Sequence, residues 1–124
     1  MGDLWGAYGK PTDPSHPCYF KDIYDITMFA DYRVPQILYH IGIMRYSEEL
    51  AEKIRNRQQI PFGSELETEI RAATVISVEK IREKLLSEKN VKVLSLEVDW
   101  ILWNWGEKVK DNIEPHHRTL TIYY

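Results

Sequence analysis

"ADYRVPQILYHIGIMR", residues 30–45, decides the fold. From Val34 to Met44 the run is mostly apolar, and Ile37, Leu38, Tyr39, Ile41, Ile43 and Met44 surround a helical wheel on most sides. A helix that is apolar nearly all round belongs inside a protein, so this one is read as the buried central helix, running to about Arg45. Pro35 suits its first turn, where the missing N–H costs little. Asp31, Tyr32 and Arg33 stand directly before it. An acid beside a buried run is either a structural cap or a working carboxylate, and the pattern leaves both open.

Working outward, Asp25 can cap a short helix through about Tyr32 by accepting from exposed backbone N–H groups. Before it, Gly2, Gly6, Gly9, Pro11, Pro14 and Pro17 predict an irregular lead-in over residues 1–22. After the central helix, Ser47 opens "SEELAEKIRNRQ", with Leu50, Ala51 and Ile54 as a narrow inner stripe. "PFG" at 61–63 breaks it. Ser64 and Glu67 make a capping-box pair, and the helix behind them repeats Leu66, Ile70, Ala73, Ser77, Ile81 and Leu85 to about Ser87. Ser95 can cap the last helix, on which Val98, Ile101, Leu102, Trp105 and Val109 share a face. "VKVLSL" at 91–96 reads equally as extended chain, and the tail "HHRTLTIYY" is β-prone without a clear partner strand. The sum is an all-α single domain of about five helices, with an irregular N-terminal lead-in and a short extended C-terminal tail.

Composition narrows the function classes. The 124 residues fit one domain, and 44% apolar with 28% charged is a globular balance. A net charge of −3 argues against a general nucleic-acid footprint but leaves a small phosphorylated ligand open. Cys18 is alone, so no internal disulfide and no Cys-rich zinc site can form. No apolar run reaches membrane-spanning length, and the N-terminus lacks the pattern of a secretory signal, so a cytoplasmic protein is expected.

Few constellations carry chemistry. His116 and His117 are adjacent, not at helical metal-ligand spacing, and there is no Gly-rich phosphate loop. Trp100, Trp103 and Trp105 fall within six residues. Core packing is the ordinary reading and suits Trp105, whereas Trp100 lies off the main stripe and could stack on a planar ligand. Asp31 and Asp99 are the informative acids, because both have apolar neighbours. Burial raises a carboxylate's pKa and a nearby Arg33 lowers it. Two such acids are either structural or the paired carboxylates that hydrolyse a glycosidic bond.

The blocks "FKDIYDITMFADYRVPQILYHIGIMRYSEEL", "GSELETEIRAATVISVEKIR", "VDWILWNW" and "PHHRTLTIYY" occur in one order across nearly the whole chain. Together they resemble the C-terminal part of the queuosine salvage protein family, the queuosine 5′-phosphate N-glycosylase/hydrolases. The resemblance implies a metal-free helical hydrolase, with no cofactor and a fold similar to helical DNA glycosylases. It implies cleavage of queuosine 5′-phosphate to release queuine for re-use in tRNA, with no direct nucleic-acid or membrane partner.

It also implies roles. Asp31 is the catalytic carboxylate, Phe29 lines the base pocket and Asp99 hydrogen-bonds the deazaguanine base. Trp100 stands where the family usually has Tyr, and Asn104 where it has a further acid, which weakens contact with the amine arm of queuine. Family members are longer, and their upstream part supplies pocket residues including a His. The expected function is therefore hydrolysis of queuosine 5′-phosphate. The alternative is an inactive fragment, or a binding subunit of a split enzyme that needs an N-terminal partner segment. A nucleic-acid glycosylase rests on fold analogy alone.

Overall fold

The computed structural model describes residues 1–124 and is all-α. Its helices are α1 (Gly2–Ala7), α2 (Arg33–His40), α3 (Glu48–Arg55), α4 (Glu65–Lys89) and α5 (Ser95–Val109), with single 3₁₀ turns at Ile23–Asp25 and Lys110–Asn112. No helix is long and apolar enough to cross a membrane.

Of the predicted buried helix from Val34 to Arg45, residues 34–38 and Met44 sit at the centre, whereas Ile43 is 48% exposed. Val34, Ile37 and Leu38 are fully buried and meet Met28, Met44, Val78, Val98 and Leu102, so α2 lies against both α4 and α5. Each such side chain contributes on the order of 1.5–3 kcal/mol by leaving water. The helix is shorter than predicted, stopping at His40 instead of Arg45. Gly42 takes a left-handed φ of 80°, and the amides of Ile43 and Met44 both turn back to the Leu38 carbonyl.

Two other expectations change. The helix predicted from Asp25 to Tyr32 does not form. Asp25 ends a 3₁₀ turn, Ile26 is extended (ψ 132°), and the chain runs irregularly to Tyr32. The lead-in is irregular only from Tyr8 onward, because residues 2–7 are helical. The glycines read there as breakers are points of close approach. A Cβ on Gly2 would meet Leu96 at 2.8 Å, and one on Gly6 would meet the Trp100 ring at 2.5 Å. The small residues let α1 lie on α5, where Trp5 is buried with Ile23 and Leu96.

The caps of α3 and α4 are those expected. Ser47 Oγ accepts from Leu50 N at 3.2 Å, and Ser64 Oγ accepts from Glu67 N at 3.3 Å. The reciprocal arm of the second is displaced by one residue, since Glu67 Oε2 accepts from Gly63 N at 3.0 Å. Ser95 is no cap. Leu94 holds that position, Glu97 Oε2 accepts from its N–H at 2.9 Å, and the Ser95 hydroxyl donates to Glu79 across to α4.

The predicted inner face of α5 is also rotated. Val98 and Leu102 are buried, but Ile101 is 63% and Trp105 45% exposed. Leu96, Asp99 and Gly106 face inward instead. The Arg33 side chain lies against Gly106, 3.0 Å from where a Cβ would stand, so a larger residue would push it aside.

The tail finds a partner that sequence did not reveal. Gln59 and Arg118 form an isolated parallel bridge, Ile60 N donates to Arg118 O at 2.7 Å, and the Thr119 hydroxyl donates to Ile60 O at 2.9 Å. One bridge is not a sheet, so the chain remains all-α.

Candidate active site

A cleft of about 530 Å³ lies between α1, the loop before α2, α5 and the tail. Phe29, Asp31, Asp99, Trp100 and Asn104 all line it, so residues up to 75 positions apart in sequence meet there. The irregular path of residues 26–32 is what makes this possible. A helix would turn the Phe29 amide inward to its own carbonyls, whereas here it donates to Asp99 Oδ2 at 3.1 Å.

Asp31 is a structural cap through one of its oxygens. Oδ1 accepts from the amides of Arg33 (3.0 Å) and Val34 (2.9 Å), which are among the unsatisfied N–H groups at the start of α2. No side-chain hydrogen bond engages Oδ2, on a residue that lines the cleft. Burial raises the Asp31 pKa against the two amides and the Arg33 charge, which lower it.

Asp99 is 7% exposed. Burial pushes its pKa up to about 6, opposed by the Phe29 amide and helped by the negative charges of Asp31 and Asp3. Two carboxylates thus face one space, and the charge of Asp31 disfavours ionisation of Asp99.

Arg33 does not complete this pair. Its Nε bonds Glu107 Oε1 at 2.6 Å, another nitrogen bonds Gln36, and its guanidinium lies 5.2 Å from the Tyr32 ring centre. It fastens α2 to α5. Trp100 lies between α1 and the cleft, with Lys10 Nζ 5.9 Å from its ring centre. Asn104 Nδ2 donates to the Trp100 carbonyl at 2.7 Å, which leaves its Oδ1 available to the cleft. Phe29 is 70% exposed and forms an open lip.

Sequence reasoning missed several walls. Met1, Gly2 and Asp3 enter through α1, and Tyr123 and Tyr124 through the tail. Trp103 was legible, because Leu96, Asp99, Trp100 and Trp103 follow helical i, i+3, i+4, i+7 spacing and form a second stripe on α5. Behind the tail, Tyr124 donates to Glu67, whose carboxyl is fully buried. No three His, Cys, Asp or Glu side chains come together to hold a metal ion.

Fold and site define an all-α domain with paired carboxylates in a cleft walled by aromatic rings. The model of the queuosine salvage protein family matches residues 1–124, and the chain belongs to that family. It is 52% identical over its full length to a queuosine 5′-phosphate N-glycosylase/hydrolase of Dictyostelium discoideum. Proteins of the same name from Sphaerobacter thermophilus and Mus musculus are 43% and 41% identical, again over the whole chain. The chain spans 37–38% of the length of these relatives.

Proposed function

We propose that this domain carries the carboxylate half of an N-glycosylase site for queuosine 5′-phosphate, and that Asp31 is its catalytic residue. The observation that carries the reading is the meeting of Asp31 and Asp99 in a cleft walled by Phe29, Trp100 and Asn104. Two acids with different bonding partners suit two tasks.

As the glycosidic C–N bond breaks, its electron pair leaves with the base and positive charge develops on the ribose ring. A carboxylate held beside that carbon stabilises the charge. Asp31 is suited to this because two backbone amides fix its Oδ1, so Oδ2 needs no reorganisation. Water then adds to the same carbon, its proton passes to Asp31 as in general base catalysis, and from there to the departed base nitrogen, which restores the carboxylate. Asp99 serves the base. Ionised, it accepts N–H groups of a guanine-like edge through the oxygen not engaged by Phe29 N. Phe29 and Trp100 offer rings for stacking on the base. Asn104, which takes the place of a carboxylate, offers the amine arm of queuine a neutral acceptor.

The open lip at Phe29 supports a second element of the reading. A further wall, supplied by protein equivalent to the rest of the relatives' length, closes over the base. It excludes water and strengthens the charge stabilisation inside. Cytoplasmic location goes with this reading, since queuine is re-used in tRNA.

The test is incubation of the purified chain with queuosine 5′-phosphate, alone and with the remainder of the Dictyostelium relative as a separate polypeptide. Free queuine is followed by mass spectrometry. Release that depends on Asp31 supports the assignment. Release that survives Asp31→Asn at the parental rate defeats it.

A further inference from the structure

We propose that Glu67, which lies outside the carboxylate cleft, is a positioning residue for it: its two oxygens fix Tyr123 and Tyr124, the wall that the tail supplies. Glu67 is fully buried in the first turn of α4. A buried carboxylate is costly unless its oxygens are satisfied, so their partners show what the acid holds.

The helix itself does not require this carboxylate. Ser64 Oγ already accepts from Glu67 N at 3.3 Å. Ser64 N, the amide that a capping box would give to Glu67, donates instead to the Pro61 carbonyl at 3.1 Å. The carboxylate turns to other segments. Oε1 accepts from the Tyr124 hydroxyl. Arg71 Nε stands 3.7 Å from the same oxygen, close enough to balance its charge but beyond hydrogen-bonding distance. Oε2 accepts from Gly63 N at 3.0 Å and so fixes the turn at residues 61–63. Phe62 in that turn extends the second arm, because its ring centre lies 5.6 Å from that of Tyr123. One acid thereby reaches both tyrosines that line the cleft, Tyr124 by a hydrogen bond and Tyr123 through Phe62.

The tail has little else to place it. Its pairing with the 59–60 segment ends at Thr119, whose hydroxyl bonds the Ile60 carbonyl. Leu120 is 83% and Ile122 91% exposed, so packing does not hold the span that follows, and Tyr123 N bonds Thr121 within that same span. His117 Nε2 meets the Tyr124 hydroxyl at 3.3 Å, so this hydroxyl, between His117 and Glu67, ties the end of the tail to the body. A wall held in this way moves when the tie is released, while α2, α4 and α5 keep their packing. That the wall bears on a base rests on the nucleotide reading above. That Glu67 fixes the wall does not.

The test compares Glu67→Gln, Tyr124→Phe, the double variant and Ser64→Ala with the parent 124-residue chain. Gln offers one acceptor oxygen to two donors, so one arm is lost, and Phe lacks the hydroxyl of the other. Ser64→Ala weakens the same helix start and leaves both arms in place. NMR without ligand reads the wall. The indole N–H of Trp103, which lines the same cleft, and the amides of residues 120–124 are expected to shift in both arm variants and to keep parental positions in Ser64→Ala. Queuine titration reads the consequence. Affinity is expected to fall about 10-fold in Glu67→Gln and in Tyr124→Phe, the scale of one hydrogen bond. The double variant is expected to lose less than the product of the two, because both act on one wall. Ser64→Ala is expected to melt lower yet bind queuine as the parent does. The amide spectrum reports whether each variant folds, and Tyr124→Phe carries the test if Glu67→Gln does not. Parental Trp103 and tail signals in the arm variants, or parental queuine affinity in them, overturn the proposal. If the parent itself binds no queuine, the base reading fails for this chain alone, and the Trp103 and tail signals still decide whether Glu67 fixes the wall.

Discussion

The backbone N–H of Phe29 donates to Oδ2 of Asp99 at 3.1 Å and so ties the loop before α2 to the middle of α5. This bond holds the two carboxylate-bearing segments in one cleft, and it leaves Asp99 short of donors. A helix interior supplies none, and burial keeps water away. Burial, with the charges of Asp31 and Asp3, pushes the Asp99 pKa up to about 6 against the Phe29 amide.

Asp99→Asn is expected to stabilise the fold at neutral pH while removing affinity for queuine. Below about pH 4 the acid is protonated in both folded and unfolded chains and contributes nothing. Between about pH 4 and 6 the folded chain holds the proton longer, so the unfolded chain binds fewer protons and stability falls as pH rises. Asn, which keeps an acceptor for Phe29 N, escapes this loss. The variant should therefore gain about 2–3 kcal/mol above pH 6 and match the parent below pH 4. Urea denaturation across that range checks it. Parental queuine affinity should also fall as pH drops through about 6, because the carboxylate loses its acceptor charge.

Asp31 separates cap from chemistry by two substitutions. Asp31→Asn retains an oxygen for the Arg33 and Val34 amides and should melt near the parent. In the complemented enzyme its turnover should fall by about 10²–10³. Asp31→Ala removes the cap as well and should cost a further 0.5–2 kcal/mol or so of stability. Melting curves and single-turnover release of queuine on the same samples make the comparison. If Asn melted as low as Ala, the amide bonds to Oδ1 would not be what holds the start of α2.

Gly6→Ala decides between propensity and packing. In an open helix, alanine gains about 1 kcal/mol over glycine. Here the new methyl would meet the Trp100 ring at 2.5 Å. The expected outcome is a net loss of about 1–3 kcal/mol, as for an overfilled core. It should come with a shifted Trp100 indole N–H resonance and weaker queuine binding. A stabilised variant would show that α1 does not rest on Trp100.

Tyr124→Phe tests the anchor of the tail. It removes the donor to the buried Glu67 carboxyl and the acceptor of His117 Nε2. Leaving such groups unpaired should cost about 1–3 kcal/mol, read as a lower urea midpoint. The amides of Arg118 and Thr119 should exchange faster with solvent as the tail loosens. An unchanged midpoint would place the anchoring at the Ile60–Arg118 bond instead.

What the amino-acid order fixes by itself is local. The all-α class, the buried start of α2 at Val34–Leu38, the Ser47 and Ser64 caps and the long α4 follow from periodicity and from side chains that serve their own backbone. Asp31, Asp99 and Trp100 were likewise visible one by one, as acids and an aromatic ring in apolar company, whereas Phe29 and Asn104 came only with the family resemblance.

Only tertiary structure decided how they meet. Gly2 and Gly6 read as breakers until Leu96 and Trp100 lie against them, and α1 then becomes a wall of the cleft. Trp105 and Ile101 read as core until Asp99 and Gly106 are drawn inward, by Phe29 N and Arg33, and turn α5 on its axis. The tail had no partner until Ile60 supplied one from 58 residues away. Hydrogen bonds and contacts between distant segments leave no period in the sequence, because each partner answers to the other's position and not to its own neighbours.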